Sequence, residues 1–222
     1  MIESPLRTAV LYHLGFIPVS STVVTTWGLM ALLTAGCWIA TRTLQVKARG
    51  AQAVIEAAVL EIEAQITSTL DRDAGPFLAL LGTLLIFLVA ANLSGILPGV
   101  RPPTASLETP AALAAIVFSS VHFYGVRFQG LQAYLKGYLR PNPILLPFNI
   151  LSEITRSFSL AMRLFGNLMS EELVVAIVLA LAGLLVPIPF MAFGILVGLV
   201  QAYIFTVLAA VYIGGGIGTI AK

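Results

Sequence analysis

Arg163 lies inside the apolar run Phe158 to Phe165, where Leu160, Ala161, Met162, Leu164 and Phe165 surround a guanidinium with hydrocarbon. A cation held at the middle of a bilayer costs about 2.5–3.5 kcal/mol on insertion scales, so its presence needs a reason. Arginine keeps its charge at any accessible pH, and so can act as a permanent cation opposite a carboxylate that must release a proton or a metal ion. The bland alternative is an arginine that snorkels to an interface or locks two helices by pairing with an internal acid. At 100° per residue, Arg156, Ser159, Asn167 and Ser170 fall within about 40° of Arg163, forming a polar stripe suited to a sliding partner surface. Glu172 lies nine residues beyond Arg163, about 13 Å along the axis and near the opposite face, whereas Glu171 sits about 80° from the stripe. Both acids are too far away to be simple ion-pair partners of Arg163. They are candidates for a proton relay, or, at a solvated helix end, plain surface charges. Further along, Gly194, Gly198 and Ala202 form a small-residue ridge that lets another helix approach closely. Beside it, Gln201 either reaches the stripe or bonds a neighbouring backbone. Glu108, at the mouth of an apolar segment, and His122, within one, are weaker candidates.

These residues are carried by a chain whose solvent is lipid. Of 222 residues 59% are apolar and 10% charged, and the mean hydropathy is +0.99, far from the composition of a water-soluble globule. No charge occurs in Thr8–Thr41, Ala74–Val100, Thr109–Val126 or Leu173–Ala221, each long enough for the ~20 apolar residues that span a bilayer. The single cysteine, Cys37, rules out an intrachain disulfide or a thiolate cluster, and no metal or other cofactor is expected. A net charge of +2 without a basic patch sets nucleic acid aside. The first apolar run leads into a full-length span, so an anchor is expected rather than a cleaved leader.

The expected organisation is one membrane domain over residues 1–222. A first span runs over 22–41, opened by Ser20-Ser21 and closed by Arg42, Lys47 and Arg49 at a cytoplasmic end. An amphipathic surface helix follows over 51–70, with Glu56, Glu61 and Glu63 on its polar face. Spans at 77–97 and 110–126 are separated by the breaker Leu97-Pro98-Gly99 and an external Arg101-Pro102-Pro103 loop, and Arg127, Lys136 and Arg140 return to the cytoplasmic side. The stretch 145–186 is about 60 Å long as a helix, twice the thickness of the hydrocarbon, so it must tilt or kink. Pro187-Ile188-Pro189 turns it into a returning helix over 190–212, and Gly214-Gly215-Gly216 frays the end. The fold class is an all-α integral membrane protein with upright transmembrane helices beside a long, strongly tilted two-helix hairpin. A self-contained channel or transporter, with Arg163 binding an anionic substrate, and a purely structural helix bundle are the competing classes. The absence of an internal repeat counts against a transporter.

The run Ser159-Leu160-Ala161-Met162-Arg163-Leu164-Phe165-Gly166-Asn167, followed by Glu172-Leu173, resembles the signature SLxxRLFGN plus an acid of subunit a of F-type ATP synthases. Asn92-Leu93-Ser94-Gly95-Ile96-Leu97-Pro98-Gly99 and Gln201-Ala202-Tyr203-Ile204-Phe205 are similar too, so the resemblance extends from about Thr22 to Tyr212. It implies a non-catalytic stator subunit whose tilted hairpin faces a rotor ring and forms two half-channels with it, coupling proton or sodium flow to rotation. Arg163 would match the essential arginine opposite the ring carboxylate, and Glu172, Asn167 and Gln201 the polar residues lining the path. The implied partners are the c-subunit ring, the b subunits of the peripheral stalk and the remaining synthase subunits, in a bacterial inner membrane. The chain departs from the pattern at Gly194, where some relatives place a histidine, and around Asn149, where many carry an acid. The compact length suits a bacterial chain, including the sodium-associated branch.

Overall fold

The computed structural model describes residues 10–14, 17–42, 50–96, 102–138, 144, 146–183 and 186–218. The loop cations Lys47, Arg49, Arg101 and Arg140 and the breaker Leu97-Pro98-Gly99 lie outside them. The first described element is a small antiparallel hairpin, β1 (Val10–Leu14) and β2 (Ile17–Ser20), with Leu14 opposite Ile17 and a register shift between Val10 and Tyr12. Seven α-helices follow among the described residues: α1 Ser21–Thr41, α2 Ala51–Leu70, α3 Gly75–Leu93, α4 Glu108–Gln129, α5 Leu131–Tyr138, α6 Leu146–Ala182 and α7 Pro187–Gly216. All but α2 and α5 are long and apolar enough to cross a bilayer, and the chain is an all-helical integral membrane protein apart from the terminal hairpin.

Helix α1 is apolar on every side, and only Thr22 among its residues is buried. Trp27 and Leu32 remain 63% and 68% exposed, so lipid or another chain must cover this helix. Its hydroxyls do not stay open to that surrounding: Thr26 donates to the Thr22 carbonyl and Thr34 to that of Met30, each at 2.7 Å. Helix α2 ends at Asp71, which takes a left-handed conformation (φ 51°) and donates its amide to the Thr67 carbonyl. Its polar face leaves Glu56 and Glu61 exposed, while Ile66 and Leu70 are buried and the helix lies against α3 and α7.

The core forms where α3, α4, α6 and α7 meet. Leu88 of α3, Val117 of α4, Leu164 of α6 and Phe205, Ala209 and Ile213 of α7 are all at most 1% exposed and belong to one cluster. Small residues let the axes come this close. A Cβ on Gly198 would stand 3.0 Å from Asn92 Cβ of α3, and one on Gly216 would stand 2.8 Å from Val121 of α4. That second contact explains why α7 runs on through Gly214-Gly215-Gly216, where a glycine triplet is expected to fray. Gly216 packs on Val121, and its carbonyl accepts from Gln129 Nε2 at 2.8 Å, so tertiary contact outweighs low helix propensity.

Helix α6, with 37 residues, is about 55 Å long, and α7, with 30, about 45 Å. Both exceed the hydrocarbon thickness of about 30 Å, and they pack against each other as a hairpin after Gly183, whose φ of 79° ends α6. Only Leu160, Ala161, Leu164 and Leu168 of α6 are buried, a single stripe across its middle.

Candidate functional site

Because that buried stripe turns one side of α6 into the bundle, the polar stripe is turned the other way. Arg156, Ser159, Arg163, Asn167 and Ser170 are all exposed. Arg163 falls within a residue of the midpoint of α6, about 27 Å from either end, between the exposed apolar side chains of Phe158 and Met162. Among the described residues no carboxylate and no hydrogen-bond acceptor is paired with it. Ser170 donates to the Gly166 carbonyl of its own helix at 2.7 Å, leaving Asn167 as the stripe residue that reaches α7.

Asn167 Nδ2 donates to Gln201 Oε1 at 2.8 Å, so the amide bridges the two arms of the hairpin one turn beyond Arg163. Gln201 is 4% exposed, and its Nε2 is a buried donor with no partner among the described residues. It is available to a polar atom arriving between the helices. Glu171 and Glu172 are half-buried. The Glu171 carboxylate lies against Gly194 of α7, occupying the space a side chain at 194 would need. Hence the glycine at 194 makes room for an acid that comes from the other arm. Glu108, at the first turn of α4, accepts a 2.7 Å hydrogen bond from the hydroxyl of Ser20 and so ties the terminal hairpin to the bundle.

His122 is found in a second polar cluster that includes residues not singled out by their sequence pattern. Its Nδ1 lies 2.9 Å from the Phe118 carbonyl and 3.9 Å from Glu153 Oε1. A carbonyl can only accept, so Nδ1 carries the hydrogen and Nε2 is left as the basic nitrogen. Glu153 also accepts from the Tyr138 hydroxyl, which in turn is 2.8 Å from the hydroxyl of Tyr134. Since the Tyr138 hydrogen is directed at the carboxylate, Tyr134 is the donor in the second bond. Asn149 Nδ2 fixes the end of α5 by donating to the Tyr138 carbonyl at 2.9 Å. Burial raises both phenols above the ordinary tyrosine value, and for Tyr138 the bond to Glu153 adds to it. For Tyr134 the charge on Glu153 adds to the rise. The i, i+4 spacing of Tyr134 and Tyr138 was the available signal, but their meeting with Glu153 depends on how α5 folds back onto α6.

Tyr134, Tyr138, Asn149 and Glu153 of this cluster line a cavity of about 430 Å³ between α4, α5, α6 and α7, to which Arg156 and Tyr212 also contribute. An adjoining hollow of about 440 Å³ shares Ser152, Arg156 and Tyr212 with it and extends to Ser159. Ser159 is about 6 Å along the axis from Arg163. The hollows therefore end one helical turn short of Arg163 on the same face of α6.

Residues 23–214 match the model of the family described as ATP synthase A chain. The chain is 57% identical to "ATP synthase subunit a 2" of Bradyrhizobium sp. over 222 residues, covering 100% of both. It is 47% identical to "ATP synthase subunit a 2" of Pelobacter propionicus over 210 residues, covering 95% of this chain and 92% of that one. "ATP synthase subunit a" of Moorella thermoacetica is 41% identical over 208 residues, with 94% and 95% covered.

Proposed function

This chain belongs to the ATP synthase A chain family, the ion-translocating, non-catalytic subunit a of the synthase membrane sector, and from that premise we propose that Arg163 is the fixed charge that discharges an acidic rotor site. The chain is a multi-pass membrane protein with bacterial relatives, and its contribution to ATP synthesis is ion transport. In our reading the acidic site belongs to a ring of c subunits passing the outward stripe of α6, and b subunits hold the chain still. An ion enters from one side, neutralises a ring carboxylate and travels with it through lipid. It leaves on the other side when Arg163 replaces it as the counter-charge. The membrane potential supplies about 2.3 kcal/mol per charge per 100 mV, which gives direction without bond chemistry in this subunit.

One observation carries this reading. Arg163 sits at mid-helix on the exposed stripe and has no acidic partner among the described residues. A guanidinium at bilayer depth is costly, so the compensating carboxylate must come from outside the chain. A partner that remained bound would make a static ion pair. A passing series of carboxylates uses the same charge repeatedly, and Asn167, Gln201, Glu171 and Glu172 then line the approach. The test is Arg163→Ala in the whole synthase reconstituted into vesicles. The expected result is loss of ion-driven ATP synthesis with a passive leak. Full synthesis by that variant would remove the mechanism.

A further inference from the structure

Arg163 is not the only cation on the exposed stripe of α6. Arg156 lies seven residues earlier, about 10.5 Å along the axis and about 20° round it, so the two guanidiniums leave the helix on the same face. Arg156 is exposed and, like Arg163, is paired with no carboxylate and no hydrogen-bond acceptor among the described residues. The nearest acid along the helix, Glu153, is engaged elsewhere: the Tyr138 hydroxyl of α5 donates to it, and it faces His122 of α4 at 3.9 Å. Tyr212 of α7 in the hollow and Tyr134 of α5 in the adjoining cavity complete the titratable groups around Arg156 among the described residues.

Apolar side chains are exposed at both ends of α6, from Phe148 to Leu181, so its whole length of about 55 Å belongs in hydrocarbon about 30 Å thick. That requires an inclination of about 57° from the membrane normal, which places Arg156 about 9 Å sideways from Arg163 and only about 6 Å from it in depth. A rotor whose acidic sites move in the membrane plane therefore meets the two cations one after the other. Arg156 also borders open space. With the hydroxyls of Ser152, Thr155, Ser159 and Tyr212 it lines the hollow of about 440 Å³, at the end of the molecule that carries Arg127 and Lys136, and the hollow is polar and roomy enough for water.

We propose that Arg156 is a second counter-charge for the rotor, which loosens the ion from a rotor carboxylate facing this hollow before that carboxylate reaches Arg163. This rests on the reading of Arg163 given above and gives a separate task to a second residue. The bond that breaks joins a carboxylate oxygen to the proton or metal cation it carries. The ion passes to water in the hollow, and the guanidinium balances the charge left on the carboxylate, so no other reactant is needed. A cation within about 4–6 Å favours the ionised carboxylate by about ten- to a thousandfold. When the rotor turns the other way, the same charge opposes uptake from the hollow.

The experiment uses the complete synthase in inverted vesicles, with the Arg127 and Lys136 side outward. ATP-driven uptake is followed against outside pH, and against outside sodium at fixed pH, and the ion that moves the native curve is scored. ATP synthesis reports release on the same side. Arg156→Gln is expected to lower the half-saturating ion concentration for uptake about tenfold and to slow synthesis about tenfold. A packing role alone would not strengthen uptake while weakening release, and Arg156 makes no bond within the described chain whose loss would unfold it. Arg156→Lys keeps the charge and is expected to restore both values. Native half-saturation in Arg156→Gln overturns the proposal. So does an Arg156→Lys enzyme as altered as the Gln variant, since that points to side-chain shape rather than charge. In the same vesicles Arg163→Ala separates the two readings: full coupling there removes the premise, whereas loss of coupling there with an unaffected Arg156→Gln removes this assignment alone.

Discussion

Replacing Asn92 by alanine takes away both bonds of a buried amide that joins three segments. Its Nδ2 donates to the Gly198 carbonyl at 2.7 Å, and its Oδ1 accepts from the Thr104 hydroxyl at 2.8 Å. Thr104 is 0% exposed, so its hydroxyl would be stranded without water, at about 1–3 kcal/mol. The lost bond to Gly198 adds about 0.6–1.7 kcal/mol at membrane depth, and the carbonyl keeps its intrahelical amide. The expected destabilisation is about 2–4 kcal/mol. Thr104→Val removes the hydroxyl itself. In that background Asn92→Ala should therefore cost about 1–2 kcal/mol less than it does alone. Steric trapping with tags on α3 and α7 in bicelles measures each corner of the cycle. Additive effects, within about 0.5 kcal/mol, would refute the reasoning, because they would mean that Thr104 finds another acceptor when Asn92 is gone. The cycle also bears on the site. Gly198 is three residues before Gln201, so releasing it should loosen the bridge from Gln201 to Asn167.

Two further expectations concern the hairpin and the cavity. Gly194→Ala sets a methyl where the Glu171 carboxylate lies, so coupled ion transport by the whole synthase should fall about tenfold and be partly restored by adding Glu171→Asp; Gly166→Ala, which meets nothing within 4 Å, should leave it unchanged. The raised Tyr138 phenol predicts alkaline sensitivity: the folded state holds its proton more tightly than the unfolded chain, whose value is near 10.0, so this stabilisation is complete below pH 10.0 and declines as pH rises above it. Thermal unfolding followed from pH 8 to 12 should show a steeper alkaline decline for the native protein than for Tyr138→Phe, judged with the order-of-magnitude scale of one pKa unit per about 1.4 kcal/mol.

The exposed stripe on α6 could be read from residue order because it depends on one number, the 100° turn per residue, and because α6 is unbroken over 37 residues. The all-helical membrane class was legible for a similar reason: runs without charge leave little choice in lipid. Contacts that join distant segments were not legible. Tyr138 and Glu153 are separated by 15 positions, and Asn92 and Gly198 by 106, and no periodicity links them. The role of Glu171 was equally hidden, since only the absence of a side chain at Gly194 on the opposite arm makes room for it. At the end of α7 local propensity points to fraying, and the contacts of Gly216 with Val121 and Gln129 override it. The terminal β-hairpin carries no strand-length alternation that stands out from the apolar run containing it.

Helix α1 has a consequence for how the molecule is made. It touches β2, α3 and the Pro103–Ala105 turn and buries only Thr22, so nothing later in the chain is required for it to settle in the bilayer. The core, by contrast, draws on residues from Ile66 to Ile217 and can close only when almost the whole chain has been synthesised. During translation α1 is therefore a tether: it commits the nascent chain to the membrane and to one orientation while the polar faces of α6 and α7 are still waiting for each other.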